Sequence, residues 1–458
     1  MRILLATHFF PPGHLGGTEV LTLGLAKTLS ASGCSVQVIC NEEWDSAPSF
    51  LIHHTDDIYQ GIPVRRLQYN WTKAPDVFRY LYNNPEVYNN LLEYMKVNKP
   101  DVLHITSLYS LSASVIQAAQ EMNIPIILTA TDFWFVCAKN TLLRSDGTLC
   151  PGQDDPWECT KCLMADTKAY QSLHKLLPDK LAKSIMLGLG RYPWITNRPG
   201  FRGMMGNWRE RFEYQSQLLN KLNLVVTASQ FLKELFLRYG VRAENITYSA
   251  YGLDTAWARG LSTKTVSKNL RIGFIGQILP MKGPDILLRA VLDLPSHLPI
   301  EVKIYGDLNK TPGYGQELVD LVGQDRRVSF LGTFDNSKMG EVMTGIDVLA
   351  VPSTWYDFPL VIPSALEANT PVMATDLPGM NEMIQNEVNG LLFERYDWKE
   401  LSAQIRRLVE ERELLKQLKA GIQPVKTVER MSAEYLDLYA GLVLGENNGF
   451  IVFYKKRE

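Results

Sequence analysis

Apolar positions along this chain recur in two alternating periods. Residues 2–7 form a short apolar run that ends at His8 and a Pro11-Pro-Gly-His-Leu-Gly-Gly17 loop. Residues 18–31 then carry Val20, Leu21, Leu25, Ala26 and Leu29 on one helical stripe, Gly33 stops the helix, and residues 35–40 read as the next strand. The rhythm continues with a strand at Val102–Ile105, a helix over 112–122, a strand over 124–130, a strand at Leu224–Thr227 and a helix over 229–239. Strand–helix alternation of this kind specifies a parallel sheet with helices on both faces.

Residues 256–269 break the pattern with Ser, Thr and Lys and no apolar period, which reads as a linker. A second series follows, with strands at Leu270–Ile275, Ile300–Tyr305, 328–331, Val348–Val351 and 371–375. Helices over 285–292 and 338–344 lie between them, and amphipathic helices around 398–418 and 431–444 close the chain. The pattern therefore predicts two α/β domains, 1–255 and 268–425, with a terminal helical segment 426–458. Two such halves leave a central cleft, and strand carboxyl ends are the usual ligand positions.

Composition adds exclusions. A length of 458 residues exceeds one hydrophobic core. A net charge of −2 provides no global field to recruit nucleic acid. The apolar run at residues 3–6 is too short for a secretory signal, and no stretch is apolar enough to span a bilayer, so the expected compartment is the cytoplasm.

Candidate chemistry begins at Gly273-Phe-Ile-Gly-Gln-Ile-Leu-Pro-Met-Lys-Gly283. A strand end, a glycine-bearing loop with Lys282 and a helix start suit a diphosphate, because a helix N-terminus carries partial positive charge. A generic turn with a surface lysine reads equally well from this segment alone.

Further segments in register settle the resemblance. They are Gly16-Gly-Thr-Glu19, Val328-Ser-Phe-Leu-Gly-Thr-Phe334, Val351-Pro-Ser-Thr-Trp355, Phe358-Pro-Leu-Val-Ile362, Thr370-Pro-Val-Met-Ala-Thr-Asp376 and Asn389-Gly-Leu-Leu-Phe393. In order and spacing the chain resembles glycosyltransferase family 4. The resemblance implies a GT-B fold: two Rossmann-like, doubly wound domains facing a central cleft. It implies a retaining transfer from a UDP- or GDP-sugar to a glycan or lipid-linked acceptor in cell-envelope or exopolysaccharide synthesis, without a catalytic divalent metal. By resemblance Lys282 holds the donor phosphates, Leu360 and Val361 meet the phosphate or sugar, Phe334 borders the base, and Gly16 and Gly17 close over the diphosphate. The N-terminal domain holds the acceptor, and the last helix returns to it.

The departures from the family fall in the donor site. Gln277 stands where the family has arginine, and Thr131-Asp132 where it has His-Asp. The family's two glutamates fall at Tyr356 or Asp357 and at Ser364, with Glu367 three positions on and Asn369 at a family glycine. Two readings follow. Either the site is rebuilt around Asp357, Glu367, Gln277 and Lys282, with Asp132 orienting the acceptor hydroxyl, or the chain is a scaffold subunit that binds sugar nucleotides and turns them over poorly. No positive motif supports an epimerase or a phosphorylase.

The N-terminal half carries an insert over about 137–215. Cys137, Cys150, Cys159 and Cys162 have the spacing C-x12-C-x8-C-x2-C, which fits a structural zinc site; reduced thiols and paired disulfides are the alternatives. Cys34 and Cys40 read as core thiols. Residues 168–211 mix Lys175, Lys180, Lys183, Arg191 and Arg198 with Tyr192, Trp194 and Trp208. That mixture suits peripheral contact with the inner face of a membrane, or an insert packed on its own domain. His53-His54 reads as a polar loop, and the aromatics from Tyr69 to Tyr88 as packing.

Overall fold

The computed structural model describes the whole chain except residues 153–154, 166, 169, 172–177, 260–263, 357 and 446–458. It divides into two compact units, Met1–Ala250 with Glu429–Glu458, and Tyr251–Val428.

The first unit is built on eight strands: β1 (Arg2–Ala6), β2 (Ser35–Glu43), β3 (His53–Tyr59), β4 (Ile62–Gln68), β5 (Val102–Ile105), β6 (Ile126–Ala130), β7 (Leu224–Thr227) and β8 (Ile246–Tyr248). Their spatial order is β3-β4-β2-β1-β5-β6-β7-β8. All neighbours are parallel except β3 and β4, which form an antiparallel hairpin. Strands β5, β6 and β7 are buried along their whole length, which is why they read as largely apolar runs without alternation.

His53 and His54 open β3 rather than lying in a loop. This edge strand is exposed at nearly every position, so neither face imposes an apolar alternation. Its charges serve instead: Asp56 and Asp57 pair with Arg65 and Arg66 of β4 at 2.7 and 2.8 Å, and a charged edge resists pairing with other chains.

Between β6 and β7 the chain makes a helical excursion with helices Pro156–Met164, Asp179–Leu189, Pro193–Thr196 and Trp208–Leu219. Trp157, Met164, Ala182, Met186 and Met205 give it a small core of its own. Phe78 ties it to the sheet domain, packing edge-on against Trp208 at 4.5 Å. The helix Val428–Leu444 belongs to this unit from Glu429 onward.

The second unit holds β9 (Leu270–Ile275), β10 (Ile300–Tyr305), β11 (Val328–Gly332), β12 (Val348–Val351), β13 (Val372–Thr375) and β14 (Gly390–Phe393). Their order is β11-β10-β9-β12-β13-β14, parallel throughout. The strand β14 lies inside the Asn389-Gly-Leu-Leu-Phe393 motif and is buried at all but Leu392. Its core joins Leu270, Ile272 and Phe274 of β9 to Leu287 and Leu288 of the following helix. The stretch read as a linker is anchored in this unit, since Lys264 Nζ donates to Ile346 O at 2.6 Å and to the Thr370 hydroxyl.

Candidate functional site

In each unit the parallel strands place all their carboxyl ends along one edge. In the second unit the order reverses direction between β9 and β12, and such a switch point opens a crevice at the strand ends. The loop carrying Lys282 leaves β9 at this point, and Pro352-Ser-Thr-Trp355 leaves β12 beside it. The two are joined: Thr354 N–H donates to Met281 O at 2.8 Å. Lys282 Nζ lies 5.3 Å from the centre of the Trp355 ring.

Gly283 makes this approach sterically allowed. Its φ is +66°, and a Cβ there would stand 2.0 Å from Pro352 O. The helix Pro284–Leu292 starts immediately after it, so its positive end and the lysine charge share one corner.

The remaining predicted positions in this unit sort by the same edge. Gln277 is exposed just beyond β9, and Phe334, beyond β11, meets Tyr305 edge-on at 5.4 Å. Leu360 and Val361 begin the helix Val361–Glu367 after β12. Ser364 is buried and donates its hydroxyl to Leu360 O at 2.9 Å, so that donor is already used. Glu367 is the last residue of the helix and sits about 10 Å along its axis from Leu360, away from the strand ends. The helix therefore does not bring Glu367 to the edge with Lys282. Asp357 lies outside the described residues. A cation missed in the sequence takes a place at this edge: Arg395, two residues past β14, donates Nε–H to Thr354 O at 2.6 Å. Its only sequence signal is its position after a strand that was too short to stand out.

In the first unit the order reverses between β1 and β5. Gly16 caps the helix Gly17–Ala31, and its N–H donates to Glu19 Oε2 at 2.9 Å. The other Glu19 oxygen meets His8 Nε2 at 3.0 Å. Burial alone would raise the Glu19 pKa, but the hydrogen bond and charge of His8 and the backbone N–H groups outweigh it and hold it below the usual value. Thr131 accepts from the Thr18 hydroxyl at 3.1 Å and donates to Thr106 O at 2.6 Å, so the loops after β5 and β6 are tied to the glycine loop. Asp132 takes the Ser107 hydroxyl at 2.6 Å and the Trp134 N–H at 3.0 Å. His104, by contrast, is wholly buried and cannot reach a ligand.

The four clustered cysteines do line one small cavity, of about 30 Å³. They are free thiols, and among the described residues no group of three or more His, Cys, Asp and Glu is placed to hold a metal ion. The expected zinc site is not shown by this arrangement, in which three of the four sulfurs contact backbone groups. Cys150 Sγ donates to Gly152 O at 3.3 Å, Cys162 Sγ faces Leu143 O at 3.9 Å, and Cys137 Sγ accepts from Leu142 N at 3.4 Å. Cys40 is a buried core thiol, pushed up to about 12 by burial.

Comparison with known proteins fits this geometry. The profile of the glycosyl transferases group 1 matches residues 262–423, and that of Glycosyltransferase Family 4 matches residues 15–153. The chain carries these two glycosyltransferase domains, and its fold is GT-B. A D-inositol 3-phosphate glycosyltransferase of Rhodococcus erythropolis is 28% identical over 245 residues, 49% of this chain and 55% of that one. One from Mycolicibacterium vanbaalenii is 34% identical over 139 residues, 28% of this chain and 30% of the relative. The chain thus spans about half the length, or less, of the curated relatives it matches.

Among solved structures, Anabaena HepE in complex with UDP superposes with a TM-score of 0.63 at 18% identity, over 95% of this chain and all of that one. Sucrose-phosphate synthase from Thermosynechococcus elongatus gives 0.64 at 16% identity, over 97% and 99%. The Family 4 match contains the Gly16-Gly17 loop and Asp132, and the group 1 match contains the Lys282 loop and the end of β12.

Proposed function

We propose that the chain is a retaining glycosyltransferase that moves a sugar from a nucleotide-diphosphate sugar, a UDP-sugar in the first instance, to a glycan or lipid-linked acceptor. The observation that carries this reading is the junction of the Lys282 loop with the end of β12 at the switch point of the second sheet. As the glycosidic bond breaks, negative charge grows on the departing diphosphate. Lys282, the start of the helix Pro284–Leu292 and Arg395 offset that charge, and fixed cations and dipoles are effective there because they need no reorganisation. HepE was solved with UDP and with UDP-glucose, which favours uridine over guanosine as the first donor to try.

In the first unit Asp132, already oriented by Ser107 and the Trp134 N–H, positions the acceptor hydroxyl. The relatives named for D-inositol 3-phosphate make a phosphorylated polyol a reasonable acceptor class.

The acceptor meets the enzyme at the inner face of a membrane, in cell-envelope or exopolysaccharide synthesis. Leu181, Ile185 and Leu189 form an exposed stripe at helical spacing, with Tyr192 and Trp194 exposed beyond it, and Arg198 stands over the Trp194 ring at 5.6 Å. An apolar stripe with aromatic and cationic flanks suits the lipid headgroup boundary. No helix among the described residues is long and apolar enough to cross a membrane.

A thermal-shift panel with UDP-, GDP- and ADP-glucose tests the donor, since a ligand at 100 times its Kd stabilises by about 2.7 kcal/mol. Stabilisation by a UDP-sugar together with slow donor hydrolysis is the expected result. Binding with no turnover on any acceptor would favour the scaffold reading, for which the used Ser364 hydroxyl speaks. Flotation with anionic liposomes at low salt tests the membrane contact.

A further inference from the structure

The first unit contains a cavity of about 330 Å³, within the size range of small-ligand sites. Trp44, Trp71, Tyr109, Trp134, Trp208 and Arg211 supply much of its wall. Trp44 stacks on Trp71 with ring centres 5.5 Å apart and leans on Tyr109 at 5.4 Å. The Arg211 guanidinium lies 5.5 Å from the ring centres of both Trp134 and Trp208.

Arg211 is the anomaly in this wall. It is 4% exposed, its Nη2 donates to Trp134 O at 2.8 Å, and its Nη1 is buried without an acceptor. The indole N–H groups of Trp71 and Trp208 are likewise buried without acceptors. The charged residues among the described lining are Lys139, Arg202 and Arg211, all cationic, and no carboxylate is present. Burial pulls the Arg211 pKa down only to about 10, so the group stays charged. The neighbouring Cys159 thiol, pushed up to about 12 by burial, is neutral and cannot offset it. A buried cation and three buried donors without acceptors are costly unless a ligand completes them.

Asp132 lies outside this lining but interacts with two of its residues, Trp134 and Tyr109. That carboxylate holds the Trp134 N–H, and its charge helps raise the pKa of Tyr109, after burial itself.

We propose that this cavity binds an anionic saccharide, with its ring against the indole faces and its phosphate or carboxylate on Arg211 and the indole N–H groups of Trp71 and Trp208. Rings with an apolar face stack on indoles, and oxyanions take charge-assisted hydrogen bonds from guanidinium. The assignment of this saccharide as the acceptor rests on the glycosyltransferase reading; its binding does not.

Tryptophan fluorescence of the full chain, titrated with glucose 6-phosphate, glucuronic acid, glucose and inorganic phosphate, tests the proposal. Saturable quenching by at least one of the two anionic sugars is expected, at least about tenfold tighter than by glucose or by phosphate alone. The order of the two anionic sugars tells phosphate from carboxylate. Because Arg211→Gln risks the fold, Lys139→Gln and Trp71→Phe are the informative variants: the first removes a wall charge and the second an N–H while keeping a ring. Each should weaken the anionic sugar several-fold without moving the thermal shift caused by UDP. Equal binding of glucose, equal binding of phosphate, or no effect of either variant would overturn the proposal. Loss of sugar binding with UDP binding intact would leave the transferase reading standing, and the reverse result would remove that reading and keep this site.

Discussion

The imidazole Nδ1 of His104 and the phenol of Tyr439 share a hydrogen bond of 2.5 Å across 335 residues of chain. The other ring nitrogen meets the Thr129 hydroxyl at 2.7 Å, and Tyr435 reaches the same hydroxyl at 2.5 Å. This buried network fastens the terminal helix to β5 and β6. Burial pulls the His104 pKa down from 6.5 to about 3, so the unfolded chain takes up a proton that the folded one refuses. Stability of the first unit should therefore rise with pH between about 3 and 6.5 and level off above. His104→Phe should cost roughly 1–3 kcal/mol, because it takes the His104 hydrogen bond from the buried Tyr439 hydroxyl and leaves Thr129 only its bond to Tyr435. It should also flatten the pH dependence. Urea midpoints at pH 5 and pH 7 check both, and an unchanged difference between the two pH values would refute the assignment.

Gly283 is the backbone position on which the Lys282 corner depends. Gly283→Ala places a methyl group 2.0 Å from Pro352 O in a left-handed conformation, so the loop must move off β12. A stability loss of about 1–3 kcal/mol and a collapse of UDP-sugar binding are expected. Gly313→Ala is the control, since nothing lies within 4 Å of its added carbon. Thermal shift with and without UDP separates the two variants.

Which parts of the fold are legible in the sequence follows from burial. Strands β5, β7, β9 and β12 lie inside sheets and read as largely apolar runs, and β10 as a strict alternation, whereas β3 is an exposed edge and carries no period. Asn369, noted as a departure from a family glycine, has φ +51°, a conformation asparagine tolerates with little strain, so the turn survives the exchange. The Lys282 corner was visible because its residues are contiguous. The His8–Glu19 pair, Arg395 and the aromatic cavity were not, since each joins residues from separate loops. The cysteine spacing suggested a ligand set, but spacing does not say where a sulfur points, and here backbone groups contact three of the four sulfurs.

Lys264 gives the second unit its own pH response. Its ammonium is buried against Ile346 O and the Thr370 hydroxyl, and burial, then the nearby Lys419 charge, pulls its pKa down to about 7. The unfolded chain holds that proton up to about 10.5, so stability should rise as pH goes from about 7 towards 10.5 and be insensitive below. Lys264→Met should abolish that rise. Chemical denaturation at pH 7 and pH 9.5 is the measurement, and an equal rise in the variant would show that another group is responsible.

Lys282 separates catalysis from folding most cleanly. The side chain is half-buried beside Trp355, in the loop between β9 and the helix Pro284–Leu292. Lys282→Met should leave the urea midpoint within about 0.5 kcal/mol of the parent, as surface substitutions do. Removing one strong contact to a charge that grows in the transition state should lower kcat by about a hundredfold. Lys282→Arg keeps the charge but replaces a compact ammonium by a planar fork, so it should recover part of the rate and little of the fit. If donor turnover by Lys282→Met equals that of the parent, the departing diphosphate is held elsewhere, and the switch point of the second sheet is not where the bond breaks.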